Sequence, residues 1–306
     1  MQTILGASGS VGTLLAKELA NYTDKVRLVS RNPIKVNGKE ELIKADLSSA
    51  TEVDKAVACS EVVYVTIAFE YKYKVWNEKW LPFIKSVVDS CIKHNAKLVF
   101  FDNIYMYDKN YLSDINENSP INPSSRKGLI RMQVADYILN NIETGKLTAL
   151  IARAPDFIAA RNSILIETVY NNLSNGKKAR WLGDAVKIHD FIYVPDAAKA
   201  TAILGNSPDA YNQVWHLPTC NGNLTGKGWI ELFANEINVE PKFSTTPAWM
   251  LGILGIFIPI LSEVKEMMYQ MENDYIFNSQ KFQKQFNFTP TKPEVAVREI
   301  VRMLGK

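Results

Sequence analysis

The chain opens with glycines at every third position, Gly6, Gly9 and Gly12, between an apolar segment and an amphipathic segment that extends to Asn21. A strand-to-helix turn that binds a pyrophosphate needs such residues. They allow a sharp turn, a close approach of the backbone to the phosphates, and tight packing of helix on strand. The helix N-terminus then offers N–H groups and the positive end of its dipole to the anion. Glycines also serve ordinary turns, but this position favours a dinucleotide site. The same turn adds three candidate contacts: Ser8, Ser10 and Val11.

The second predicted strand ends in Ser30-Arg31-Asn32, without a carboxylate. An acidic residue at this point binds the ribose 2′-hydroxyl of NAD, whereas an arginine attracts the 2′-phosphate of NADP. Arg31 offers a planar donor fork and Ser30 offers a hydroxyl. The segment therefore predicts NADP, with NAD less favoured. The alternative is that Arg31 is only a solvated surface residue.

Further cofactor contacts are predicted where other strands end, because ligands of open α/β sheets bind at the carboxyl edge. Asp46 is expected to hydrogen-bond the adenine amino group, and Leu47 to pack beside the ring. The remaining candidates at strand ends are Thr66, Ile67, Ala68 and Asp102.

Apolar runs alternate with helical patterns through the first half, which predicts an α/β fold: a Rossmann-like doubly wound parallel sheet followed by a smaller, mostly helical C-terminal substrate domain. Residues 1–155 are expected to bind NADP, and residues 187–217 to return to that domain. The substrate-binding part is expected to comprise residues 156–186 and 218–306. Predicted strands cover residues 25–30, 42–45, 61–68, 97–101, 147–152, 179–182, 191–194 and 213–217, and a long helix covers 73–94.

Several segments together resemble the extended and atypical NAD(P)-dependent epimerase/dehydratase branch of the short-chain dehydrogenase/reductase superfamily. The segments are the glycine turn, Asp46-Leu47, and residues 98–108 (LVFFDNIYMYD), 153–157 (RAPDF) and 189–196 (HDFIYVPD). The resemblance adds Ala154 and Pro155 to the expected cofactor contacts.

The resemblance implies a Ser or Thr and a Tyr-x-x-x-Lys pair around a substrate carbonyl, with the tyrosine transferring a proton and the lysine holding the nicotinamide ribose. Here Asn103 stands at the Ser/Thr position, and Lys127 and Arg131 stand at the Tyr and Lys positions. Lys127 could act as the general acid/base, and could contact the cofactor, provided that burial or Arg131 favours its neutral form. Alternatively Tyr105 or Tyr107 supplies a phenol, or the site binds dinucleotide without turnover. A further possibility is that Lys127 and Arg131 are a solvated pair one helical turn apart.

We therefore expect an NAD(P)-dependent oxidoreductase or epimerase acting by hydride transfer on a small carbonyl or alcohol, or on a nucleotide sugar. The alternative is a non-catalytic NADP(H)-binding regulator. A nucleotide sugar would need basic and aromatic groups in the second part, and the apolar segment 247–261 favours a less polar substrate. No metal site is expected, because the three histidines lack neighbours with ligand spacing. Candidates for the diphosphate and base are Arg161, Lys177, Lys178, Arg180 and Trp181.

Bulk properties restrict the other classes of function. The net charge of +3 argues against a nucleic-acid partner. Three scattered cysteines suit a reducing compartment, and a strand directly after Met1 predicts no signal peptide, so a cytoplasmic protein is expected. The expected partner is a small-molecule substrate, and the expected state is a monomer or homodimer. The apolar segment 248–261 is too short to span a membrane and predicts a buried helix or pocket wall.

Overall fold

The computed structural model describes residues 1–220, 222–254 and 259–305, and the side chains of residues 253–260 lie outside what it describes. The chain forms two compact units. The first comprises Met1–Met106, Lys127–Ala154 and Ala197–Leu217, and the second comprises Tyr107–Arg126, Pro155–Asp196 and Pro218–Lys306. Residues 107–126 and 187–196 thus belong to the second unit. The assignment of cofactor to one part and substrate to the other stays a prediction.

The strands and helices are numbered here in chain order. Strands β1–β11 are Gln2–Leu5, Val26–Ser30, Glu41–Lys44, Val62–Val65, Lys97–Asp102, Ala149–Arg153, Asp156–Ile158, Ala179–Leu182, Phe191–Tyr193, Val214–His216 and Phe243–Thr246. Helices α1–α11 are Ser10–Leu19, Ala50–Val57, Tyr73–His94, Arg126–Glu143, Asn171–Ser174, Val194–Gly205, Gly226–Glu236, Ala248–Leu254, Pro259–Lys265, Gln280–Gln285 and Pro293–Met303.

The first unit is built on a seven-stranded sheet in the order β10-β6-β5-β4-β1-β2-β3, with every neighbouring pair parallel. All residues of β1, β2, β4 and β6 are buried, as expected for parallel strands covered on both faces. Apolar side chains of α2, α3 and α4, such as Val53, Val87 and Val134, share one core with the sheet. The predicted Rossmann-like parallel sheet is confirmed.

The second unit has its own core, formed by α7, α11 and the π-helical turn at Leu165–Tyr170. It also contains two small parallel sheets, β8 with β11 and β7 with β9. Strands β7 and β11 were not predicted. The first has only three residues, and the second (FSTT) lacks an apolar run.

The apolar segment 248–261 is described only at its ends. Within α8, Trp249 is 65% exposed and Leu251 is buried. The interpretation of its centre as a buried helix or pocket wall falls on residues outside the described part. Among the described residues, no helix is both long and apolar enough to cross a membrane.

Candidate active site

Two of the three glycines in the first turn are required by close packing within the first unit. Gly6 has φ +98°, and a Cβ there would lie 2.7 Å from the backbone nitrogen of Ile67. A Cβ on Gly12 would lie 2.5 Å from the carbonyl oxygen of Gly6 and 2.9 Å from Oγ1 of Thr66. Strand β1, helix α1 and the end of β4 therefore meet only because these two positions carry hydrogen.

The middle glycine has a different role. Gly9 is the N-cap of α1 with φ −75°, and a Cβ there would lie no closer than 3.4 Å to any protein atom. The fold would accept a side chain at Gly9, but that side chain would occupy the space before the helix N-terminus. Gly9 gives the helix no side-chain cap, and the N–H groups of a helix's first turn have no partner within the helix. This arrangement fits a dinucleotide pyrophosphate.

The turn is tied to the end of β2. Ser8 Oγ lies 2.7 Å from Ser30 Oγ, and the Ser8 hydroxyl also donates to the carbonyl of Asn32 at 3.1 Å. Arg31 lies between these two positions and is exposed. The predicted phosphate turn and the predicted 2′-phosphate residue therefore belong to one connected surface of the first unit.

Asp46 and Leu47 have different environments. The Asp46 carboxylate accepts hydrogen bonds from the backbone N–H and hydroxyl of Ser48 at 3.0 and 2.7 Å. These bonds lower the pKa of Asp46, and the positive charges of Lys79 and Arg31 lower it further. Leu47 is buried in the core of the first unit. The predicted roles of both residues at the adenine stay predictions.

Asp102, at the end of β5, forms a buried ionic cluster. Its Oδ1 accepts from Nε of Arg131 at 2.8 Å and also from Nη2 of the same guanidinium. Arg153 Nε lies 3.7 Å from Asp102 Oδ2. The Arg131 guanidinium also lies 4.1 Å from the ring centroid of Trp80 and 5.0 Å from that of Phe100. The cluster binds α4 to the centre of the sheet.

Lys127 is the second residue of α4 and has no exposed surface. Its Nζ lies 4.6 Å from the ring centroid of Tyr71, a cation–π contact. Arg131, one turn further, is 2% exposed. The interpretation of this pair as solvated is wrong, because both side chains fold inward onto aromatic rings, and Arg131 also onto a carboxylate.

Asn103 and Tyr105 follow β5 and are half-buried. The side-chain carbonyl of Asn103 accepts from the backbone N–H of Tyr105 at 3.2 Å, a local turn contact. The Tyr105 ring stacks on Trp76 with centroids 6.1 Å apart. The first unit thus contains Asn103, Tyr105 and Lys127, and their catalytic roles stay predictions.

The other predicted residues divide between the units. Ala68 is exposed at the end of β4, and the buried Ala154 donates its N–H to the Asp102 carbonyl at 3.0 Å. Pro155 and Tyr107 belong to the second unit. Tyr107 is 1% exposed and forms an isolated antiparallel β-bridge with Ile121.

In the second unit, two segments behind the family resemblance contact each other. Strands β7 and β9 pair in parallel, and His189 Nε2 lies 2.9 Å from Asp156 Oδ2. The His189 ring stacks on Tyr275 with centroids 4.5 Å apart. Among the described residues, no group of three or more His, Cys, Asp or Glu side chains could hold a metal ion.

The candidates for a nucleotide-sugar diphosphate and base differ in exposure. Trp181 is 2% exposed and packs on Gly226, where a Cβ would lie 2.3 Å from the indole ring. Its predicted role as a platform for a base is wrong, because the ring is part of the core. The four basic candidates are exposed: Arg161, Lys177, Lys178 and Arg180.

Two residues of the site were missed by sequence reasoning. Tyr71 precedes α3 in a polar segment, and nothing in the sequence links it to Lys127. Arg153 is the last residue of an apolar strand. A charged residue at the end of a buried strand indicates that an oppositely charged group lies nearby, and this was the available signal.

The geometry can be compared with known proteins. The sequence pattern of the NAD dependent epimerase/dehydratase family matches residues 3–216. The chain belongs to this family. The match confirms the family resemblance stated from the motifs. No curated protein sequence matches the chain.

Solved structures agree with the fold. The UDP-glucuronic acid 4-epimerase from Bacillus cereus in complex with NAD is 12% identical, with a TM-score of 0.80 and 100% of both chains covered. The dTDP-glucose 4,6-dehydratase from Bacillus anthracis in complex with NAD is 14% identical, with a TM-score of 0.78, covering 99% of this chain and 96% of that one. The UDP-N-acetylglucosamine 4-epimerase from Bacillus cereus is 16% identical, with a TM-score of 0.76, covering 100% and 96%. At these identities the likeness concerns the fold.

Proposed function

We propose that this member of the family is an NADP-preferring oxidoreductase or epimerase in which Lys127 replaces the usual tyrosine as proton donor and acceptor. The observation that carries the proposal is the complete burial of Lys127 at the start of α4, with its ammonium over Tyr71. Removing the charged end of a lysine from water is costly in free energy, so a fully buried lysine needs a compensating interaction or role. Ionisable groups in such environments are concentrated at functional sites.

The first-turn N–H groups of α1 would hold the pyrophosphate, and Gly9 leaves room for it. Arg31 would hold the 2′-phosphate with its planar donor fork, and its side chain is exposed. When bound, the nicotinamide supplies or accepts a hydride. Lys127 would donate a proton to the substrate oxygen in reduction and remove it in oxidation.

Arg131 would not take the role of the ribose-holding lysine of the family. Its guanidinium is engaged by Asp102 on one side and by Trp80 on its face. Its function is to fix α4, and hence the position of Lys127, one turn away.

The substrate would be a small carbonyl or alcohol, or a nucleotide sugar. The exposed basic residues Lys177, Lys178 and Arg180 of the second unit support a phosphorylated substrate. The named substrates of the similar structures, dTDP-glucose, UDP-glucuronic acid and UDP-N-acetylglucosamine, are therefore the first compounds to test.

The experiment is steady-state turnover with NADPH or NADP⁺ over these nucleotide sugars and a panel of small carbonyls and alcohols. Lys127→Met should lower kcat by about 10²–10⁴-fold, the usual contribution of a general acid/base. Lys127→Arg should also be slow, because arginine keeps the charge but does not release a proton. Unchanged kcat in both variants would refute the proposal.

A second candidate, a non-catalytic NADP(H)-binding regulator, is favoured by one observation: the residue at the lysine position is sequestered by Asp102. Its signature would be tight dinucleotide binding with no cofactor-dependent turnover of any compound in the panel.

A further inference from the structure

Tyr71 is held between two groups of the first unit. Its ring lies edge-on to Trp76, with centroids 5.6 Å apart and planes at 84°. On the ring face, the Lys127 ammonium lies 4.6 Å from the centroid. Trp76 in turn stacks on Tyr105, at an interplanar angle of 13°. The ring under Lys127 is therefore supported by an aromatic series rather than free to rotate away.

The contact differs from others of its type in the chain. Lys85 on α3 lies over Tyr137 on α4 at 5.5 Å, but Lys85 is exposed and can exchange the ring for water. Lys127 is fully buried. The attraction of an ammonium to a ring face is strongest when the cation is desolvated, so the Tyr71 ring stabilises Lys127 where water cannot.

We propose that Tyr71 is a positioning residue, whose ring face holds the Lys127 ammonium in the orientation needed for proton transfer. The inference rests on the proposed role of Lys127. It requires the ring and not the hydroxyl, because the negative face that attracts a cation is common to phenylalanine and tyrosine.

The first test is NMR of the intact protein with ¹³Cε-labelled lysine. The Hε protons of Lys127 should be displaced upfield from those of free lysine by the ring current of Tyr71. The signal is assigned by its loss in Lys127→Met. The displacement should persist in Tyr71→Phe and disappear in Tyr71→Leu. A Lys127 signal at the free-lysine position in the unaltered protein would overturn the proposal, even if the leucine variant does not fold.

The second test is kinetic. Tyr71→Leu should lower kcat by about tenfold or more, whereas Tyr71→Phe should stay within about twofold of the unaltered protein. The dissociation constant for NADPH should not change in either. Tyr137→Leu is the matched control, because it also removes a lysine–tyrosine cation–π contact that involves α4 and should leave kcat unchanged.

The outcomes separate the two proposals. If Lys127→Met keeps full kcat, the proposed function fails. If Lys127→Met is inactive while Tyr71→Leu is fully active, only the role of Tyr71 fails. A phenylalanine variant as slow as the leucine variant, or an equally slow Tyr137→Leu, would also overturn that role.

Discussion

The Asp102 cluster predicts a large and specific loss of stability on Asp102→Asn. The side chains of Asp102, Arg131 and Arg153 are 0%, 2% and 3% exposed. Asparagine keeps the size and one acceptor oxygen for Arg131 Nε but removes the charge, which leaves the buried Arg131 guanidinium without the carboxylate that it contacts and weakens the attraction to Arg153. Breaking a buried ion pair in this way costs about 3–5 kcal/mol. That is a large share of the roughly 5–15 kcal/mol that stabilises a typical protein.

The assay is urea unfolding followed by tryptophan fluorescence. With an m-value of about 1–3 kcal/mol per molar urea, the midpoint should fall by roughly 1–5 M. Asp54→Asn is the control, because the Asp54 carboxylate also contacts two basic groups, Lys93 at 2.7 Å and His94 at 3.0 Å, but at the surface. Its midpoint should barely move.

The double variant Asp102→Asn/Arg131→Met should recover part of the loss, because one unpaired charge is replaced by an apolar side chain. If the Asp102 and Asp54 variants lose equal stability, the buried cluster does not anchor α4, and the reasoning is refuted.

Three further predictions concern the cofactor turn and the second unit. Gly9→Ala should keep the melting temperature but weaken NADPH binding about tenfold or more. Gly12→Ala should lower the melting temperature and also weaken NADPH binding, because its Cβ would lie 2.5 Å from a backbone oxygen. Equal melting temperatures for the two variants would contradict this. Arg31→Asp should weaken NADPH more than NADH in titrations, and equal effects would refute the 2′-phosphate assignment. Burial raises the pKa of Asp190 to about 6 from 3.8, so the folded protein loses stability as pH rises from about 4 to 6. Asp190→Asn should therefore gain up to roughly 3 kcal/mol above pH 6 and little below pH 4 in urea titrations, and a variant less stable at pH 8 would show the opposite sign.

Much of the first unit was predictable, because buried parallel strands can be recognised in the sequence as apolar runs. The strand ending at Ser30, the strand ending at Asp102 and the glycine turn were placed within a residue or two. The two strand ends and the glycine turn lie at the same edge of the sheet, because the strands are parallel and their carboxyl ends meet there.

The environment of α4 was not predictable in the same way. Within a helical pattern, Lys127 and Arg131 are typical of a solvated face. Their burial depends on Asp102, Trp80 and Tyr71, which come from other elements and contact them only in the folded chain.

The second unit shows the other limit of sequence patterns. Trp181 suggested a ligand platform because tryptophan is common in both binding sites and cores, and only the contact with Gly226 decides for the core. The pairing of His189 with Asp156 joins two short segments that were noted in the sequence without their contact.

The central claim is tested most directly by a crystal structure of the protein with NADP⁺ bound. The pyrophosphate should lie on the first turn of α1 and the 2′-phosphate on Arg31, and Lys127 should be the ionisable side chain beside the nicotinamide. A nicotinamide with Tyr105 or Tyr107 beside it and Lys127 still covered would contradict the account.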